Sequence, residues 1–200
     1  MGLFRQPPTE VLTFDPLSLR SSMIYHRTYH HSLALHVNHL VFLNTYLFGI
    51  LVLVCALNRG SFGAVYFVAI GYSAYSVALT EAYAVPYAGV IFALGLGAWR
   101  LTTALNSNET AGLAGAGIVL CSFAAQLVGH AKYELYAAPP HLFHGFVAAP
   151  VLEFMSLVLR LGLLPQLKRD VDAEVARARG AAAGSMKPPG HVGSRTASDG

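Results

Sequence analysis

An all-α, polytopic membrane bundle of about four transmembrane helices, closed by a C-terminal interfacial or fifth helix, is the fold class that the sequence predicts. Hydrophobic residues fill 54% of the 200 positions and charged residues only 12%, about half the roughly 25% charge of soluble domains. Between Arg27 and Lys132 the only charged side chains are Arg59, Glu81, Arg100 and Glu109. The uncharged stretches between them each approach the ~20 residues needed to cross a hydrocarbon core about 30 Å thick.

The elements follow in order. Residues 1–22 hold prolines and no sustained periodicity, so they read as a flexible leader. No basic segment and cleavage pattern mark a removable signal peptide. Four spans come next, Leu40 to Leu57, Ser61 to Thr80, Ala84 to Leu105 and Ala111 to Gly129. Each should be helical, because backbone exposed to lipid has to satisfy its own hydrogen bonds. Connections as short as Asn58 to Gly60 and Glu81 to Tyr83 make neighbouring spans antiparallel. Gly89, Gly95, Gly97, Gly112, Gly115 and Gly117 would let helix backbones approach. A further apolar stretch, His144 to Leu164, carries Pro150, Glu153 and Arg160. Charges at those depths are costly, which leaves open an interfacial helix or a fifth crossing. Residues 23–164 thus form the membrane-embedded domain, and residues 165–200 a polar tail expected to be disordered.

Cys55 and Cys121 lie within apolar runs and offer neither a disulfide framework nor a zinc pattern. The net charge of +3 is carried largely by a tail that also holds Asp170, Asp172 and Glu174, so nucleic acid is not an expected partner. The lipid bilayer is.

Five of the nine histidines, His26, His30, His31, His36 and His39, precede the first span; His130, His141 and His144 follow the fourth, and His191 lies in the tail. An even number of crossings returns the chain to the side it started from, so both groups face one leaflet. On one unbroken helix His30 and His39 would point about 180° apart; a helix start with Ser32 as N-cap lets them converge. His130 and Glu134, four residues apart, share a helix face, as two ligands or as a ligand and the carboxylate that orients it. Imidazoles with a carboxylate suit a borderline divalent metal, and an open site of this kind is typical of non-haem Fe(II) oxygen chemistry, though zinc takes similar ligands. His36, His141 and His144 are ambiguous, and His191 has no role. Tyr66, Tyr72, Tyr75, Tyr83, Tyr87 and Trp99 are read as packing and interfacial residues rather than the lining of an acyl cavity. Glu81 and Glu109 are read as solvated anchors at loop ends.

The segment Tyr25-His26-Arg27-Thr28-Tyr29-His30-His31, with His39 eight residues on, resembles the N-terminal signature of the fungal endoplasmic-reticulum 2-hydroxy fatty acid dioxygenases. Gln126-Leu127-Val128-Gly129-His130 with Glu134 resembles that family's Q-x-V-G-H-x-x-x-E signature, and Ala149-Pro150 and Leu159-Arg160-Leu161-Gly162 resemble its A-P and L-K-L-G elements. The resemblance implies Fe(II)-dependent α-oxidation of 2-hydroxy fatty acids, in which O₂ is consumed, CO₂ released and the acid shortened by one carbon. It implies iron ligands at His30, His39 and His130, with His31 a further candidate, and Glu134 as ligand or supporting acid. It also implies an endoplasmic-reticulum membrane location. Leu135-Tyr136-Ala137-Ala138 stands where the family has a basic pair, so the grip on a substrate carboxylate would pass to Lys132 or Arg160. Two other readings compete: a b-type haem electron-transfer protein with two axial histidines, and a non-enzymatic membrane protein binding lipid or a partner. Arg20, Arg27 and Lys132 on the histidine side, against Arg59 and Arg100 on the other, place the histidine face in the cytosol.

Overall fold

The computed structural model describes residues 14–30, 32–134 and 143–185, and every regular element among them is helical. The elements are α1 (Leu19–Tyr29), α2 (Leu33–Leu57), α3 (Phe62–Thr80), α4 (Val85–Ala104), α5 (Asn108–Tyr133), α6 (Ala149–Arg160) and α7 (Pro165–Ser185). A 3₁₀ turn over Glu81–Ala84 joins α3 to α4, and one wide π-helical stretch over His144–Ala148 leads into α6.

Helices α2 to α5 are each long and apolar enough to cross a membrane. Their outward faces carry large apolar side chains such as Phe67, Leu113, Leu120 and Val128, all well exposed. On a membrane protein such faces are met by lipid, so this exposure carries no penalty. α2 and α5 cross most intimately where two glycines meet: a Cβ on Gly115 would stand 3.1 Å from the Gly49 carbonyl oxygen, and one on Gly129 only 2.6 Å from Asn38 Oδ1. Gly95 and Gly97 also face neighbours closely, at 3.3 Å from Val65 and Phe48. Gly89 and Gly117 face open space instead, so the expectation that they admit a neighbouring backbone does not hold.

The first and fourth spans are longer than hydropathy alone marks. α2 begins at Leu33 and α5 runs to Tyr133, so His36, His39 and His130 lie on the ends of membrane helices rather than outside them. Ser32 does occupy the N-cap of α2, but its hydroxyl makes no capping hydrogen bond. The break that separates α1 from α2 includes His30, whose extended backbone (φ −111°, ψ 95°) ends α1.

Three elements close the histidine end of the bundle. α1 starts four residues inside the expected leader, capped by the Ser18 hydroxyl, and buries Ser22, Met23 and Tyr25. The rest of the leader, residues 1–13, lies outside the described residues. α6 is only 12 residues long, with Pro150 in its first turn, where a missing N–H costs nothing. Leu152, Met155 and Leu159 of α6 pack with Met23, Tyr87, Ile91 and Val171 in one core. The chain then turns through 110° into α7. Gly162, at φ +76°, follows the last turn of α6 and lets Leu163 N–H return to the Val158 carbonyl, a backbone conformation that L-residues enter only at a cost.

α7 corrects the expected disorder of the tail through Ser185. Val171, Val175 and Ala178 recur at helical spacing and are buried, while Lys168–Asp172 and Arg177–Glu174 pair along the outer surface. Arg20–Glu174 and Arg27–Asp172 ion pairs, with Arg179 donating to the carbonyls of Arg27 and Thr28, bind α7 to α1. Residues 186–200, including His191, lie outside the described residues.

Candidate metal centre

Four separate segments bring imidazoles to one place. The end of α1 gives His26 and His30, the first two turns of α2 give His36 and His39, the last turn of α5 gives His130, and the π-helical stretch gives His144. His36 and His39 are three residues apart and therefore share a helix face. All but His130 are buried, and His130 is partly so.

Ligand nitrogens of His30, His39 and His130 converge, all lying within 4.8 Å of one another. The His39 and His130 Nε2 atoms stand 3.1 Å apart. On its other side His130 Nδ1 meets Glu134 Oε2 at 2.6 Å. That pairing fixes the ring and leaves Nε2 toward the cluster, the way carboxylates orient metal-binding imidazoles. Glu134 Oε1 also lies 2.9 Å from His30 Nδ1, an ion-pair contact in which neither buried atom makes an aligned hydrogen bond. His36 Nε2 and His39 Nδ1 are likewise buried and unpartnered. Buried polar atoms are normally paired, and several unpaired donor atoms in one cluster are what a cation-binding site requires.

Desolvation pushes the Glu134 carboxyl up, but the His130 and His30 imidazoles prevail and hold it at about 2. It is therefore an anion at neutral pH. Burial is the largest influence on His26 and lowers it to about 4, with Glu153 only partly offsetting this. A neutral imidazole is the form that binds metal.

His30, His39, His130 and Glu134 are thus brought together as the sequence suggests, whereas His31 and His141 lie outside the described residues. His36 and His144, which the sequence left ambiguous, join the cluster, whereas His26 and Glu153 are members that sequence reasoning missed. Glu153, on α6, holds His26 Nε2 at 3.0 Å and His36 Nδ1 at 2.6 Å, and His26 Nδ1 meets His144 Nε2 at 3.2 Å. The signal was available: an ionisable residue inside an apolar segment is a functional candidate by default.

Two clefts reach the cluster and share His36. One is largely apolar, lined by Leu33, Val37, Leu40 and Leu157 together with Glu153 and Arg160. The other is polar, with Arg27 and Arg179 facing His30 and His36. Of the two cations expected to grip a carboxylate, Arg160 is beside the cluster, while Lys132 is exposed with Nζ 5.2 Å over the Tyr133 ring. The tyrosines pack as expected: Tyr87 donates to Asn44 Oδ1 and stacks on Phe154, and Tyr72 donates to the Val147 carbonyl. No family model matches this chain, and no curated protein or solved structure does so.

Proposed function

We propose that this protein is a non-haem Fe(II) oxygenase of the endoplasmic-reticulum membrane that shortens 2-hydroxy fatty acids by one carbon, its histidine face turned to the cytosol. The observation that carries this reading is the convergence of His30, His39 and His130, with Glu134 behind His130. The sequence resemblance around those same residues supplies the substrate class. Three imidazoles with unpaired buried donor atoms beside them fit a divalent iron, and His30, His39 and His130 would hold it. Iron bound there supplies the one-electron chemistry that lets dioxygen react with a hydroxy acid.

The remaining work falls to the protein's own side chains. The apolar cleft takes the start of the acyl chain from the surrounding lipid, since Leu33, Val37 and Leu157 are exposed on its rim. Arg160 on that cleft can receive the carboxylate; a guanidinium matches a carboxylate in two parallel hydrogen bonds. Holding the head group there fixes the C1–C2 bond beside the imidazoles, and orientation of that kind removes much of the entropic barrier. The burial of the cluster excludes water. Overall, R–CHOH–COOH and O₂ become R–COOH, CO₂ and H₂O, which balances with no external reductant.

A haem between His39 and His130 is less well supported, because the His30 ring lies 4.9 and 5.0 Å from theirs and occupies the space a porphyrin would need. Detergent-purified protein loaded with Fe(II) should consume one O₂ and release one CO₂ per 2-hydroxy fatty acid, without a Soret band. Retention of turnover in His130→Ala or His39→Ala, or a Soret band in the active protein, would overturn the proposal.

A further inference from the structure

We propose that the histidine cluster is built for two metal ions, the second at His26, His30 and Glu153 with His36 alongside. The ligand atoms of His26, His30 and Glu153 lie within 4.8 Å of one another, the same closeness as in the first triad. His26 Nε2 and Glu153 Oε1 are 3.0 Å apart, and His39 Nε2 and His130 Nε2 3.1 Å. Adjacent ligands on an ion with bonds of about 2.1 Å are separated by roughly 3.0–3.4 Å, so both pairs have the spacing of atoms that face one cation.

Charge points the same way. The Glu134 and Glu153 side chains are each only 1% exposed. Among the described residues neither has a Lys or Arg nitrogen within 4.0 Å; their ion-pair contacts are to histidines alone. An isolated buried carboxylate is expensive, the more so on an apolar helix. One divalent ion at His30, His39 and His130 would compensate Glu134 and leave Glu153 among imidazoles. A second ion compensates both.

His30 belongs to each triad. Its ring is 4.5 Å from that of His26 on one side and 4.9 and 5.0 Å from those of His39 and His130 on the other. An imidazole has two ring nitrogens, and on loss of its N–H proton it can give one to each ion. The His36 ring, held by Glu153 through Nδ1, keeps a buried, unpartnered Nε2 within the same cluster. This inference does not depend on the identity of the substrate.

The test is a metal count on the full chain. Detergent-purified protein is stripped with a chelator, reloaded with Fe(II) anaerobically or with Co(II), freed of unbound ions and measured by plasma mass spectrometry. Two ions per chain are expected, falling to one in Glu153→Gln and to one in His130→Ala, with His30→Ala below both. One ion per chain in the unmodified protein, or two in Glu153→Gln, overturns the second site. Should Glu153→Gln lose its helical circular dichroism, the count on the unmodified chain decides, together with magnetic coupling in its Co(II) form, which a single site cannot give. Two bound ions without oxygen uptake on a 2-hydroxy fatty acid would refute the proposed reaction alone; one ion with turnover would refute the second site alone.

Discussion

At the scale of single residues, Glu134 and Glu153 organise the centre, each by holding the Nδ1 of one imidazole. His130 is held at 2.6 Å and His36 at 2.6 Å. Glu134→Gln removes the charge while keeping the shape, and loss of such an orienting carboxylate weakens metal binding about 10–100-fold. A competition titration against a chelator of known affinity checks this; unchanged affinity would assign Glu134 a merely structural place. Acid should act on the same groups. Glu134 is held at about 2 against an ordinary 4.5, and His26 at about 4 against 6.5. Both lie lower in the folded than in the unfolded chain, so the unfolded state binds more protons between about pH 6.5 and 2, and stability falls as pH falls through that window. The thermal midpoint of metal-free protein in detergent should therefore decline steadily from pH 6.5 to 4.

At the scale of helices, the decisive contacts are made by glycines rather than by large side chains. Gly115→Val would drive a side chain against Leu53 Cγ at 3.0 Å and the Gly49 carbonyl at 3.1 Å, whereas Gly117 has nothing within 4 Å. The first substitution should cost about 1–3 kcal/mol and the second less than about 0.5 kcal/mol, read from unfolding in a mild detergent. Hydropathy located the four crossings to within four residues at every end but the start of α2, which lies seven residues earlier, because about 20 apolar positions leave little freedom. It could not separate Gly115 from Gly117, since which glycine faces a neighbour depends on helix rotation. α7 was misread for another reason. Its apolar stripe of Val171, Val175 and Ala178 is thin and surrounded by charge, and only the partner surfaces on α1 and α6 make it worth burying.

At the scale of the whole molecule, the meeting of two distant histidine groups followed from counting crossings. Any even number of crossings returns the chain to one side, so shifts of individual helix boundaries leave that meeting unchanged. Counting could not reach Glu153, because α6 follows the fourth span and a lone acid in an apolar stretch reads first as a cost. The same arrangement fixes the remaining loops: Arg59–Gly60 and Asn106–Asn108 line one hollow at the end opposite the histidines. Glycosylation acceptors inserted at Arg59–Gly60 and at Asn106–Ser107 should therefore be modified together, while one inserted after Ser185 is not, if the histidine face is cytosolic. Modification of only one of the two loops would break the topology.

Glu153 arrives late. Of the residues gathered at the cluster, at positions 26, 30, 36, 39, 130, 134 and 153 of the 200, it is the last in sequence and lies beyond the fourth apolar helix, so the cluster is incomplete until α6 has been made and packed. A chain cut short after α5 would keep its four long apolar helices yet leave His26 and His36 without the carboxylate they share.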